Sequence, residues 1–173
     1  MEPIDNLSLI ACISQNFIIG NNNKLVFNPP GDMKRFKEIT IGNGNNAILM
    51  GRKTFDSLNW KPLKNRYNIV VSKSWKESYD VSDGNILPAD SLDIIKNEHK
   101  NFDEMFIIGG GEIYRQTIHL CSKMYLTVVL ADAIGDTYFP EFNTNDFVET
   151  FRENNSGNTL HPEPFSFINY KRV

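Results

Sequence analysis

The sequence predicts an α/β fold: a mainly parallel sheet with helices on both faces, closed by a C-terminal antiparallel hairpin. Three observations carry this. Five short apolar runs read as buried strands. Amphipathic stretches of helical period separate them, which implies parallel pairing through right-handed crossovers. The last two strand-like runs have no helix between them, which implies an antiparallel pair at one edge.

Taken in order, residues 7–13 are an unbroken apolar run of the kind found in a strand covered on both sides. A helix over 32–40 follows Pro29-Pro30, since proline fits a helix entrance better than its interior. The second strand is expected at 47–50, a short helix at 54–58, and the third strand at 68–72. A helix at 91–98 leads to the fourth strand at 105–108, and a helix at 111–120 to the fifth at 125–130. Residues 147–152 and 165–172 form the hairpin, joined by the turn-rich Asn154-Asn155-Ser156-Gly157-Asn158. The asparagine runs at 21–23 and 43–46 read as exposed loops.

At 173 residues the chain reads as one domain, 1–173, with material for a sizeable core. A net charge of −3 without a basic block argues against a nucleic-acid binder. No apolar stretch approaches the ~20 residues of a membrane span, and the N-terminus lacks a signal-peptide pattern. Cys12 and Cys121 read as buried thiols of a cytoplasmic protein, and the three histidines have no metal-type spacing, so no metal is expected.

Asp32 is the only acidic side chain between Asp5 and Glu38. In a helix starting after Pro30 it shares a face with Met33, Phe36 and Ile39 or Thr40, while Lys34, Arg35, Lys37 and Glu38 point away. A carboxyl on an apolar face is costly to ionise, so it can hold a proton near neutral pH and give it to a substrate. The plainer alternative is a helix cap, although Arg35 stands where a capping box needs Glu or Gln.

Two strand–turn–helix junctions suit phosphate. Ile108-Gly109-Gly110-Gly111-Glu112-Ile113-Tyr114 runs a strand through three glycines into a helix, which lets backbone N–H groups approach an anion. Met50-Gly51-Arg52-Lys53-Thr54 is not a P-loop, but it sets two cations and a hydroxyl at a helix start. A third strand ends in Val71-Ser72-Lys73. Three such ends together point to a dinucleotide with an extra phosphate.

These motifs, with Ile19-Gly20-Asn21, Pro30-Gly31-Asp32-Met33-Lys34-Arg35-Phe36 and Gly135-Asp136-Thr137-Tyr138-Phe139-Pro140, resemble dihydrofolate reductase over nearly the whole chain. Asp in the helix, where animal members tend to carry Glu, resembles the bacterial type. The resemblance implies a mixed eight-stranded sheet, NADPH as cofactor, 7,8-dihydrofolate as substrate, a monomer, and a functional link to thymidylate synthase. The implied catalytic set is Asp32, Thr127 hydrogen-bonded to it, Tyr114 beside the nicotinamide, and Leu25 and Phe27 in the covering loop. The implied substrate pocket adds Ile10, Met33, Phe36, Leu58, Leu63 and Ile108, with Arg66 clamping the glutamate carboxylate. The implied cofactor set is Cys12, Ile13, Ile19, Gly20 and Asn21 near the nicotinamide, then Gly51, Arg52, Lys53, Thr54, Ser72 and Lys73. Gly109, Gly110, Gly111, Glu112 and Ile113 complete it, with a cis peptide at Gly109-Gly110.

The family usually carries Pro-Trp where this chain has Val26-Phe27. The indole N–H anchors a water near the substrate, and Phe has no donor to replace it. Loss of the proline frees the loop backbone, so the segment 20–26 is expected to be mobile. Two other readings stay open on sequence alone: a related NADPH-dependent pyrimidine reductase of riboflavin synthesis, and a non-catalytic module of the same fold. Neither needs Asp32, Thr127 and Arg66 together.

Overall fold

A computed structural model describes residues 2–75 and 85–173. Its strands are β1 (Ile4–Ser14), β2 (Ile18–Asn21), β3 (Lys24–Leu25), β4 (Asn46–Gly51), β5 (Tyr67–Val71), β6 (Ile86–Ala89), β7 (Glu104–Gly109), β8 (Cys121–Val129), β9 (Thr137–Tyr138), β10 (Phe147–Asn155) and β11 (Phe165–Arg172). Its α-helices are α1 (Asp32–Ile41), α2 (Arg52–Ser57), α3 (Ile94–Glu98) and α4 (Gly111–Thr117). Eight strands make one sheet in the order β10-β11-β8-β1-β7-β4-β5-β6. All its pairs are parallel except those of β11, which runs antiparallel to both β8 and β10.

Strand alternation divides the core. Leu7, Leu9, Ala11 and Ile13 of β1, Ala47 and Leu49 of β4, and Met105 and Ile107 of β7 pack on one face, beneath Ile95 of α3 and Tyr114 of α4. Ile10, Ile48, Met50 and Phe106 pack on the other, against Phe55 of α2 and Phe36 and Ile39 of α1. With both faces covered, the central strands are apolar throughout, which is why their sequence shows runs rather than alternation.

The expected elements are present with shifted ends. Cap and strand-end positions are weakly encoded, and the differences run from one residue to several. The helix expected at 91–98 begins at Ile94, and the one expected to reach 120 turns 3-10 from Ile118. β10 extends through Asn154 and Asn155, so those residues belong to the hairpin arm and not the linker. Ser72 lies just beyond β5. Four strands had no expected counterpart. β6 contains Pro88, which reads against a strand but is tolerated at a sheet edge. β2, β3 and β9 form a separate small sheet of very short strands. Asn22 and Asn23, both at positive φ, make the two-residue turn between β2 and β3.

Candidate active site

Asp32 opens α1 but does not cap it: the N-cap is Gly31 and no side chain closes that end. Its carboxylate instead accepts a hydrogen bond from Thr127 Oγ1 on β8, and Thr127 is itself buried. Burial pushes the Asp32 carboxyl above its ordinary pKa, opposed by the Thr127 hydrogen bond and by the charge of Arg35.

The helix is rotated from the expected face. Met33 is 54% exposed, whereas Arg35 turns inward. The spacings 32, 33, 36, 40 and 32, 35, 36, 39, 40 both fit one helix side, and period alone does not choose between them. A partner decides. The Arg35 guanidinium lies 4.8 Å over the Phe167 ring and donates to Asn169 Oδ1, both on β11. Met33 therefore stands exposed at the helix start, next to Asp32.

Ile10, Phe36, Leu58, Leu63 and Ile108 converge in one apolar cluster on the α1/α2 face. Arg66 is 7% exposed; its Nη1 donates to Thr40 Oγ1 at 3.0 Å and its Nε to the Lys64 carbonyl at 3.0 Å. Both partners are uncharged. The Tyr114 hydroxyl donates to the Ile10 carbonyl at 2.7 Å, and burial holds its pKa far above the ordinary value. Gly109 makes room for that ring. At φ 114°, any Cβ there would sit 3.1 Å from Tyr114.

The two glycine junctions stand side by side because β4 and β7 are neighbours. A Cβ on Gly51 would come 3.1 Å from Ile113, and one on Gly110 would come 3.6 Å from Thr54 Oγ1. The Gly109-Gly110 peptide is cis, as the resemblance implied. Lys53 is exposed, and Arg52 is ion-paired to Asp56 at 2.9 Å. Ser72 Oγ donates to the Ser74 carbonyl, with Lys73 exposed beside it. Glu112 points to solvent, where Arg115 and Gln116 hold its pKa down to about 2.

The covering segment is tied to Asp136 at Gly20 and Asn22. Asp136 Oδ2 accepts from the Asn22 N–H at 3.0 Å, and the Asp136 N–H donates to the Gly20 carbonyl at 3.1 Å. Ile19 is buried and packs, with Ile13 and Ile113, on the α3/α4 face. Leu25 is 57% exposed, while Phe27 packs with Cys12 against Val129, Phe165 and Phe167. Burial raises the Cys12 thiol pKa well above its ordinary value. Sequence reasoning missed Asp136, Arg35 and His161. Asp136 stood inside a motif already noticed, Arg35 had been set on the outer face, and His161 had been judged only as a metal ligand.

Among the described residues no group of three or more His, Cys, Asp or Glu side chains is placed to hold a metal. Nor is any helix long and apolar enough to cross a membrane. Adjacent glycine junctions and a half-buried acid near the carboxyl ends of a parallel sheet fit an α/β enzyme of the nucleotide-cofactor type. The chain belongs to the dihydrofolate reductase family, whose profile matches residues 6–172. It is 41% identical over 165 residues to the dihydrofolate reductase of Buchnera aphidicola from Acyrthosiphon pisum, covering 94% of this chain and 96% of that one. A bifunctional dihydrofolate reductase-thymidylate synthase of Paramecium tetraurelia is 35% identical in an alignment of length 163 that covers 89% of this chain but 33% of that one. The Enterococcus faecalis dihydrofolate reductase, solved as a complex with NADP(H) and RAB-propyl, superposes with a TM-score of 0.83. It is 26% identical, and the alignment covers 96% of this chain and 95% of that one.

Proposed function

We propose that this chain reduces 7,8-dihydrofolate to 5,6,7,8-tetrahydrofolate with NADPH, as one catalytic domain spanning 1–173. The single observation that carries the reading is Asp32: a half-buried carboxyl with raised pKa, held by the hydroxyl of a buried threonine on β8. A sheet module without chemistry has no use for such a group, and a pyrimidine reductase would not need Arg66 as well.

Asp32 holds the pterin ring and supports protonation at N5. Thr127 fixes which carboxylate oxygen faces the ligand. The Ile10 carbonyl, already engaged by Tyr114, brings that hydroxyl to the same rim. Phe36, Leu58, Leu63, Ile108 and the partly exposed Met33 flank the aminobenzoyl group, and the charge of Arg66 takes the glutamate carboxylate. The residues present suit the cofactor: the Gly51 and Gly110 junctions leave a cradle that a Cβ would fill, with Thr54 between them and cations at Arg52, Lys53 and Lys73. Gly109, Gly111, Glu112 and Ile113 border the same cradle, with Ser72 near its rim. Cys12, Ile13, Ile19, Gly20, Asn21 and Leu25 line the nicotinamide end. NADPH, when bound, supplies the hydride, and the chain contributes alignment and a protected proton source.

The chain acts as a monomer in the cytoplasm, linked to thymidylate synthase through dihydrofolate. Loss of 340 nm absorbance on adding dihydrofolate to the chain with NADPH tests the reading. Asp32→Asn is expected to keep NADPH binding and lose about a hundredfold or more in turnover at neutral pH, a defect that narrows at low pH. Wild-type turnover of this variant at pH 7 to 8 would remove Asp32 from the chemistry.

A further inference from the structure

The segment 156–164, between β10 and β11, is wound tightly around one histidine. Asn158 Oδ1 accepts from the Leu160 and His161 N–H groups at 2.9 Å each, and the Asn158 N–H donates to the His161 carbonyl at 2.8 Å. Gly157, at φ 78°, lies so close that a Cβ would come within 2.9 Å of the Pro162 and Glu163 carbonyls. The Leu130 N–H ties the far end down through the Pro164 carbonyl at 2.8 Å. The outcome inverts the usual preference: Leu160 is 95% exposed, while the neighbouring His161 is 8% exposed.

The buried imidazole stands edge-on to two rings. Its centroid is 5.8 Å from Phe27 at 68° and 5.8 Å from Phe165 at 85°. Nδ1 lies 3.2 Å from the Glu163 carbonyl and 3.5 Å from its carboxylate, both of them acceptors, so Nδ1 carries a proton. Nε2 is sealed from solvent, with no hydrogen-bond partner among the described residues. A contact meant only to be strong would be better made by phenylalanine, because a buried polar atom without a partner is costly.

We propose that His161 is a positioning residue for the covering segment. It holds Phe27, and with it residues 24–28, over the acid, and its unpartnered Nε2 keeps that hold weak enough to release on each turnover. Segments that cover an active site often limit turnover through their opening. In this chain the strut from 156–164 does part of what the missing Pro-Trp pair does elsewhere. The effect on turnover rests on the proposed function, whereas the effect on the free chain does not.

Hydrogen exchange of the ligand-free full chain, read on a peptide covering 20–28, tests this with two variants. His161→Ala should exchange faster by about threefold to tenfold, the range an aromatic edge contact commands. His161→Phe, which keeps a ring and removes the nitrogen, should exchange more slowly than wild type. In steady state the Phe variant should lower kcat and KM together. Protection in β1 and β8 reports whether either variant has lost its fold, and if the Ala variant has, the Phe variant still decides. Unchanged exchange in a folded Ala variant overturns the strut. Exchange in the Phe variant at or above the wild-type rate overturns the role of Nε2. The expected exchange without any dihydrofolate turnover would leave His161 as the strut and remove the proposed function instead.

Discussion

Replacing Thr127 by Val removes the hydroxyl that donates to Asp32 and nearly preserves the side-chain outline. Thr127 is 1% exposed, so water does not take over the lost bond. A hydrogen bond to an ionised group contributes about 1.5–3 kcal/mol, and its neutral counterpart roughly half of that. The anion of Asp32 therefore loses about 0.75–1.5 kcal/mol more than the acid, which tilts its protonation equilibrium about threefold to tenfold toward the acid. The sign follows from the cause: the bond lowers a pKa that burial has already raised, so removing it raises that pKa further. The basic limb of the pH–rate profile, followed by NADPH absorbance, should move to higher pH. The plateau should fall, because the carboxyl is no longer held in one rotamer. A basic limb that stays in place, together with an unchanged carboxyl titration in the free chain by carbon NMR, would refute the argument that Thr127 tunes this acid.

Asp32→Asn should make the ligand-free protein more stable at neutral pH. The folded-state pKa is raised, so the folded state binds more protons above the unfolded value of ~3.9, and the stability of the wild type falls as pH rises through that window. Denaturant melts should show the gain shrinking as pH drops toward ~3.9; a gain independent of pH would contradict it. Arg66→Gln should raise KM for dihydrofolate by about tenfold to a hundredfold with kcat little changed, since a bidentate charged pair is lost in ground and transition states alike. An unchanged KM for a substrate bearing the glutamate would move the carboxylate clamp elsewhere. Gly109→Ala should cost about 1–3 kcal/mol by thermal or urea melts, because φ 114° is unfavourable for a side chain and the methyl would meet Tyr114 at 3.1 Å. Full stability in that variant would show that the ring can move aside.

Particular elements mark how far the sequence could be read. The strand at 105–108 and the glycines after it were legible because a buried parallel strand is written as a continuous apolar run and a tight junction as glycine. β6 was not, because Pro88 argues locally against a strand and only its place at the sheet edge permits it. β2, β3 and β9 are too short to carry a period. In α1, both Met33 and Arg35 satisfied the helical spacing, and the rotation was set by Phe167 and Asn169, more than a hundred residues away in the chain.

By itself the sequence determined the alternation of strands and helices, the two glycine junctions and the presence of one isolated acid, because each is a local pattern of residue types. Tertiary structure alone decided what those residues meet. Asp32 could have capped its own helix, yet its carboxylate turns to Thr127, 95 positions along the chain. Asn22 is held by Asp136, and Phe27 lies against His161 in place of open solvent. Such contacts depend on the order in which strands pair, and strand order is a property of the whole chain that no local period records.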